Sequence, residues 1–455
     1  MGRMLAVTDV WEGTSGLLVA GSGPAGATFA RAIIDSREAA AGDLFFALRG
    51  DRADGHDFAG AAIAAGAAGA VVERPLAAPP GVAVFQVSDT LQALQRLSAY
   101  WRRRHDIGVI AVTGSVGKTT AKEIIASVLE TRYRVLKSEA NINTEIGIPL
   151  TLLRLTPQHQ RAVLELGMYA RGDIALLAKI AAPRIGVVTN IGPVHLERLG
   201  SMGAIVAAKA ELVEALPAGG LAVLNGDDAR VAALAARTPA PAVLYGLSSQ
   251  CHVRAVDVAG HGLDGFSFRL SSGGASIPVR CPLPGRHHVY PALAAAAVAL
   301  HEGFTLEEIA SALAGARFDL RLRVLPGPHG CTLIDDTYNA SPASMLAALD
   351  LLSELPGRRV ALLGDMRELG AAEVAGHRRV GERAASACDL LFVIGERARP
   401  LAEAAAAAGR ETHFLDSKEE AIETLRRETR AGDHLLIKAS RALALEDVVD
   451  ALVAR

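Results

Sequence analysis

The sequence predicts an α/β chain in three domains, the central one a parallel sheet carrying a phosphate-binding loop. Three observations carry this expectation. At 455 residues the chain exceeds what one hydrophobic core organises. The run Ile110-Ala111-Val112-Thr113-Gly114-Ser115-Val116-Gly117-Lys118-Thr119-Thr120 sets a short glycine loop between an apolar strand pattern and a helical one. Two long tracts, 106–318 and 319–455, alternate strand and helix patterns, the mark of largely parallel sheets.

Composition narrows the function classes. Half the residues are apolar and the formal net charge is −2, so a packed core is available and no basic surplus invites nucleic acid or a membrane surface. Met1 to Ala20 lacks a basic start followed by a long apolar run, and the apolar stretch Ala292 to Leu300 is too short to cross a bilayer. Four cysteines (Cys251, Cys281, Cys331, Cys388) stand far apart without metal-ligand spacing, which reads as small buried residues in a reducing compartment. A cytoplasmic protein without membrane insertion is expected.

In residues 1–105, Asp35-Ser36-Arg37 precedes a turn and strand over Gly42 to Leu48. An Ala-rich helix is expected over Ala59 to Gly69, with strands at Ala70–Val72 and Ala83–Phe85. The helix Thr90 to Arg104 ends in Arg102-Arg103-Arg104, which reads as a solvated helix end favoured by the dipole.

Residues 106–318 open on a buried strand, Ile107 to Val112, and a helix whose apolar residues Ile124, Ile125, Val128 and Leu129 recur at helical spacing. Between them the glycines let successive N–H groups point inward, and the helix start adds its positive end, so the loop suits a polyphosphate. Lys118 is placed to reach the outer phosphates and the Thr119 hydroxyl to complete a magnesium shell. Val112 stands where the full-length pattern has Gly. Strands follow at Ala162–Leu166, Ile185–Thr189 and Leu221–Leu224, and Pro282–Gly285 forms a turn before the helix Ala292 to Leu300. Glu165, at a strand end, is either a hard-cation ligand or a surface acid. His195, after Thr189-Asn190-Ile191, reads as a second metal ligand or as exposed polar surface, and Lys209 on an Ala-rich helix as a solvated lysine with an acid nearby.

A hinge is expected near Phe318 to Arg323. Residues 319–455 then alternate again: strand Thr332–Ile334, helix Ala343–Leu352, strand Val360–Leu363, helix Glu373–Ala387, strands Leu390–Ile394 and His434–Ile437. Ligands of such doubly wound sheets bind off the carboxyl ends of the strands. Three segments fall there: Asp335 to Pro342, Gly364 to Gly370, and Lys438-Ala439-Ser440-Arg441. The adjacent carboxylates suit magnesium or an adenosine end, or a turn capped by Ser341 with Pro342 opening the helix. The cations Lys438 and Arg441 suit an acidic substrate.

Taken in order, these segments resemble the Mur ligases of peptidoglycan synthesis over essentially the whole chain. The loop Thr113–Thr120, Asn141-Ile142-Asn143-Thr144-Glu145-Ile146-Gly147, Glu165-Leu166-Gly167, Thr189-Asn190-Ile191 with His195, Ala208-Lys209, and Leu283-Pro284-Gly285 with His287 carry it. Asp35-Ser36-Arg37 with Gly55-His56-Asp57-Phe58, together with the three third-domain segments, is similar to the family's dipeptide-adding branch. The Asp-Asn-Pro-Arg signature of its diaminopimelate- or lysine-adding branch is absent.

The resemblance implies a UDP-substrate-binding domain over 1–105, a P-loop ATP-binding domain over 106–318 and a Rossmann-like ligase domain over 319–455. It implies ATP and Mg2+ as cofactors, and UDP-N-acetylmuramoyl-tripeptide and D-alanyl-D-alanine as partners of a monomer. ATP contacts are implied for Thr113, Gly114, Ser115, Val116, Gly117, Lys118, Thr119, Thr120, Asn143, His287, Arg321 and Asp336, and metal contacts for Thr119, Glu165, His195 and Lys209. Lys209 matches the family's carbamylated lysine. Lys118, His195 and Lys209 take catalytic parts, and Ser36, Arg37, Asn339, Lys438 and Arg441 substrate contacts. Two positions depart from the family: Pro291 replaces an Asn and so lacks its hydrogen-bonding capacity, and Ala439 stands where Gly is common.

The implied reaction phosphorylates a carboxylate to an acyl phosphate, which an amine then attacks while the third domain closes over the second to exclude water. A guanine-nucleotide switch finds no support, since no lysine is followed by x-Asp. A folylpolyglutamate-synthase-like ligase would share the central fold, but Asp35 to Phe58 suits a nucleotide-sugar substrate. A degenerate binding protein that keeps the loop without the chemistry is the remaining alternative.

Overall fold

The computed structural model describes residues 4–139, 142–194, 196–316 and 322–453. Its central sheet, among these residues, has nine strands. Val135–Lys137, Arg161–Glu165, Gly108–Thr113, Ile185–Val188, Leu221–Asn225, Ala242–Gly246 and Val253–Gly260 run parallel in that spatial order. Phe266–Ser272 and Ala275–Cys281 then add an antiparallel edge. Glu165 pairs with Val112 in register, so the strand-end acid and the glycine loop leave the same edge of the sheet.

The helix Lys118–Glu130 buries Ile124, Ile125, Val128 and Leu129 against this sheet, each such side chain contributing roughly 1.5–3 kcal/mol of transfer free energy. Beside it packs the helix Val289–His301, buried from Ala292 to Ala299. The alanine run is a close helix contact, because small side chains let the two backbones approach.

The third sheet has six strands in the order Arg323–Pro326, Thr332–Asp335, His434–Lys438, Arg359–Gly364, Leu390–Ile394 and Thr412–Leu415; only the Arg323–Pro326 pairing is antiparallel. In the first domain, Ala83–Val87, Gly69–Val72, Leu44–Phe46 and Ala32–Ile33 run parallel, with Leu18–Ser22 antiparallel at one edge. The helix Thr90–Arg103 ties this domain to the central one: Leu97 and Trp101 share a core with Leu152 and Leu177, and Trp101 Nε1 donates to Leu155 O at 3.1 Å. The third domain docks through Leu263, packed against its core, and through an Arg286–Glu354 ion pair at 2.5 Å.

Two expectations are corrected. The helix expected over 59–69 stops at Ala64, because Gly66 turns the chain at φ +114° and Gly69 already lies in a strand. Arg102 is not a solvated helix end. It is 8 % exposed, and its guanidinium donates to the carbonyls of Ala181 (3.0 Å), His105 (3.1 Å) and Ile107 (3.2 Å), closing the joint between the first two domains. Of the expected hinge, residues 318–321 lie outside the described residues. No helix among the described residues is long and apolar enough to cross a membrane, and all four cysteines are buried and unpaired.

Candidate active site

The loop folds as its glycines require. Gly114 has φ +151° and Gly117 φ +80°, and a Cβ on Gly114 would lie 1.9 Å from Thr189 Oγ1. The neighbouring strand end locks the curl: Thr189 Oγ1 and Asn190 Nδ2 each donate to Val116 O at 2.8 Å, and Val116 N–H donates to Asn190 Oδ1 at 2.8 Å. Lys118 Nζ lies 3.0 Å from Gly114 O, folded back over the loop.

Next to it stands Glu165, 2 % exposed. Thr119 Oγ1 donates to its Oε2 at 2.7 Å and Asn143 Nδ2 to its Oε1 at 2.8 Å, while its own N–H donates to Ser138 Oγ at 3.0 Å. A carboxylate and a hydroxyl thus meet where the helix begins. Lys209 lies under this cluster, 1 % exposed, with Nζ 3.4 Å from Thr113 Oγ1. The solvated lysine expected from the Ala-rich helix is corrected: the face that carries Lys209 turns inward, beneath Thr113. Burial pushes its amine well below the ordinary lysine range, the positive charge of Lys118 pushes the same way, and Glu165 opposes both.

The third domain supplies the opposite wall. Lys438, 2 % exposed, pairs with Asp336 Oδ2 at 2.7 Å and donates to Asn339 O at 2.9 Å. Asp335 turns away from the cleft, accepting from Thr337 N–H at 3.0 Å and pairing with Arg323 at 2.6 Å. Ser341 caps the helix that Pro342 opens, so the capped-turn reading holds for that segment. His377, fully buried, accepts the Met366 N–H at 2.9 Å and steadies the loop in which Glu368 adopts φ +64°.

A cavity of about 540 Å³ lies between these walls. Ser115 to Thr120, Glu165, Thr189 and Asn190 line it from the central sheet, Asp336, Asn339, Arg367, Glu368 and Lys438 from the third domain, and His287, His288, Tyr290 and Pro291 from one end. Thr113, Gly114, Asn143 and Lys209 adjoin it from beneath. Arg441 is set back, its guanidinium 5.8 Å from the Tyr338 ring and 3.0 Å from Glu446. Ser36 and Arg37 sit in the first domain, where Arg37 pairs with Asp35. His195 and Arg321 lie outside the described residues. Asn190, Tyr245, Tyr290, Arg367 and Glu368 were not singled out by sequence. Asn190, Arg367 and Glu368 fall in strand-end loops that were, whereas Tyr245 and Tyr290 carry no local signal.

Comparison with known proteins bears on the same architecture. Residues 32–102 match the Mur ligase family catalytic domain, 112–299 the Mur ligase middle domain, and 320–441 the Mur ligase glutamate ligase domain. The chain therefore belongs to the Mur ligase family. It is 42% identical over 424 residues to the UDP-N-acetylmuramoyl-tripeptide–D-alanyl-D-alanine ligase of Synechocystis, covering 92% of this chain and 91% of that one. It is 37% identical to the enzyme of the same name from Escherichia coli, with 92% of each chain covered. Among solved structures, MurF from Acinetobacter baumannii superposes with a TM-score of 0.88 at 32% identity, covering 99% of this chain and 98% of its own. MurF ligase from Thermotoga maritima in complex with ADP superposes at 0.82 and 29% identity, covering 92% and 96%.

Proposed function

We propose that this chain joins D-alanyl-D-alanine to UDP-N-acetylmuramoyl-tripeptide, a step of peptidoglycan precursor synthesis, and drives the amide bond with ATP. The observation that carries this is the single cavity in which the phosphate loop and Glu165 of one sheet face the Asp336–Lys438 pair of another. In this reading residues 1–105 hold the uridine nucleotide, with Ser36 and Arg37 at the carboxyl ends of parallel strands. Residues 106–318 hold ATP, and residues 319–455 cover it and present the dipeptide by way of Asn339, Lys438 and Arg441.

A carboxylate is a poor electrophile, so its oxygen first takes the γ-phosphoryl group of ATP, releasing ADP. The dipeptide amine then attacks the acyl phosphate, and phosphate leaves with the C–O bond while the amine loses a proton. The N–H groups of residues 117–119 and Lys118 hold the phosphates throughout. Magnesium fits the oxygens turned toward the loop, since one carboxylate, one hydroxyl and phosphate oxygens are its usual complement; Glu165 and Thr119 would hold it, with His195 as the family resemblance implies. Bound there, the ion offsets charge on the phosphoryl oxygens. Burial and the charge of Lys118 shift the Lys209 amine toward its neutral form, the form that takes up CO2 as a carbamate, releasing a proton and adding a second carboxylate beside the loop. The buried thiols suit a reducing cytoplasm, where we place the protein as a monomer.

Phosphate release measured with each substrate omitted in turn tests the reading. Release must require ATP, the UDP-tripeptide and D-alanyl-D-alanine together, and Lys118→Ala must abolish it. Release without the dipeptide, or an active Lys118→Ala, defeats the proposal.

A further inference from the structure

The helix that starts at the phosphate loop carries a second lysine, which the proposed reaction does not use. Lys122 lies one turn past Lys118 and Thr119 and is fully buried. Its Nζ pairs with Glu123 Oε1 at 2.8 Å and donates to Ser138 O at 2.5 Å. Glu123, itself buried, also pairs through Oε2 with Lys137 Nζ at 2.5 Å. Two cations thus share one carboxylate, and the inner one is aimed at a backbone carbonyl.

That carbonyl belongs to the residue that ends a strand. Val135–Lys137 stops one residue before Ser138, while its neighbour Arg161–Glu165 continues two residues past Val163, the partner of Lys137. The Glu165 N–H therefore lies beyond the ladder of this pairing. Ser138 Oγ, fully buried, accepts it at 3.0 Å, and Ser138 N–H donates to Val163 O at 3.2 Å. Contacts are continuous from Lys122 to the candidate metal ligand: Lys122 holds Ser138, and Ser138 holds the main chain of Glu165. Thr119, on the same helix as Lys122, donates to the Glu165 carboxylate at 2.7 Å. Helix and strand are tied twice, once at the side chain of Glu165 and once at its backbone.

Stability does not account for Lys122, because apolar side chains of similar volume commonly serve as well as a buried ion pair. We propose that Lys122, acting through Ser138, is a positioning residue for Glu165: it fixes the carboxylate opposite the Thr119 hydroxyl, so that both oxygens are in place for magnesium before the ion binds. The inference deepens the ATP and magnesium reading above and rests on it. Lys122 and Ser138 act only through Glu165, and outer groups of this kind commonly change metal affinity about 10–100-fold.

The test is ADP binding by calorimetry on the full chain, with Mg2+ and with EDTA, and urea unfolding alongside. The wild type is expected to bind ADP more tightly with Mg2+. Ser138→Ala and Lys122→Met should each abolish that enhancement or cut it about tenfold, while metal-free ADP affinity stays within about twofold. The double variant should lose no more than the worse of the two, since both act along one chain of contacts. Arg102→Met, destabilised at a joint remote from the cleft, is the control and should keep the enhancement whatever its urea midpoint. Should Lys122→Met fail to fold, Lys122→Met with Glu123→Gln takes its place, removing the buried charge together with its counter-charge. An enhancement within twofold of the wild type in either single variant overturns the proposal, as does an equal loss of ADP affinity with and without Mg2+. A wild type whose ADP affinity ignores Mg2+ overturns the magnesium reading and this inference together, whereas a failure of amide synthesis alone strikes only the proposed reaction.

Discussion

Replacing Lys438 by Met tests whether the wall of the cleft is built on a buried charge. The Lys438 side chain is 2 % exposed and that of Asp336 20 %, with 2.7 Å between the charged atoms. Removing one partner of a buried pair costs about 3–5 kcal/mol, and because water reaches part of Asp336 the lower end, about 3 kcal/mol, applies. The carbonyl of Asn339, which accepts from Lys438 at 2.9 Å, loses its donor as well. Native-state hydrogen exchange in the strands Thr332–Asp335 and His434–Lys438 reads this locally, where 3 kcal/mol corresponds to about 150-fold faster opening. Asp336→Asn should cost about as much by leaving the ammonium without its counter-charge, and the double variant about 4 kcal/mol in place of the 6 of independent sites. Since Asn339 roofs the cavity, kcat/KM for ATP should fall with the exchange protection. Exchange in Lys438→Met within threefold of the wild type would refute the reasoning.

Further outcomes follow from the same geometry. Gly114→Ala places a methyl where only 1.9 Å separates it from Thr189 Oγ1 and breaks the Thr189–Val116 bond; circular dichroism should stay native while the Kd for ATP rises more than about tenfold. Arg102→Met leaves three buried carbonyls without a donor and should lower stability by about 2–4 kcal/mol in urea unfolding, with nucleotide affinity unchanged because the joint is remote from the cleft. Acid should destabilise the fold through His288. Its pKa is about 4 when folded against about 6.5 when unfolded, so its contribution is fully present above about pH 6.5 and is lost as pH falls toward 4, about 3 kcal/mol over the window. His288→Phe should flatten that part of the profile, read as the urea midpoint at pH 7 and pH 5.

What was legible in the sequence was what is local. The loop from Gly114 to Thr119, the strand before it and the helix after it are dictated by glycine freedom and by apolar spacing within about twenty residues. The same holds for the capped turn at Ser341-Pro342 and for the main strands of the third sheet. The helix expected to reach Gly69 overran because alanines satisfy a helical pattern until a left-handed glycine stops it. Arg102 and Lys209 were misjudged for a different reason: nothing near a charged residue in sequence says which face of its helix meets another element. Each is buried by a partner far along the chain, Ala181 for one and Thr113 for the other.

The chain order of its motifs was enough to mark this protein as a nucleotide-driven ligase of three units, because phosphate loops and strand-end carboxylates are written in short runs of residues. Only the packed structure decided that Glu165 is held by Thr119 and Asn143, that Lys209 is buried beneath Thr113, and that Asp336 and Lys438 face the loop across one cavity. Those facts depend on which surfaces lose their water against which, and that is set by contacts between residues 22 to 102 positions apart.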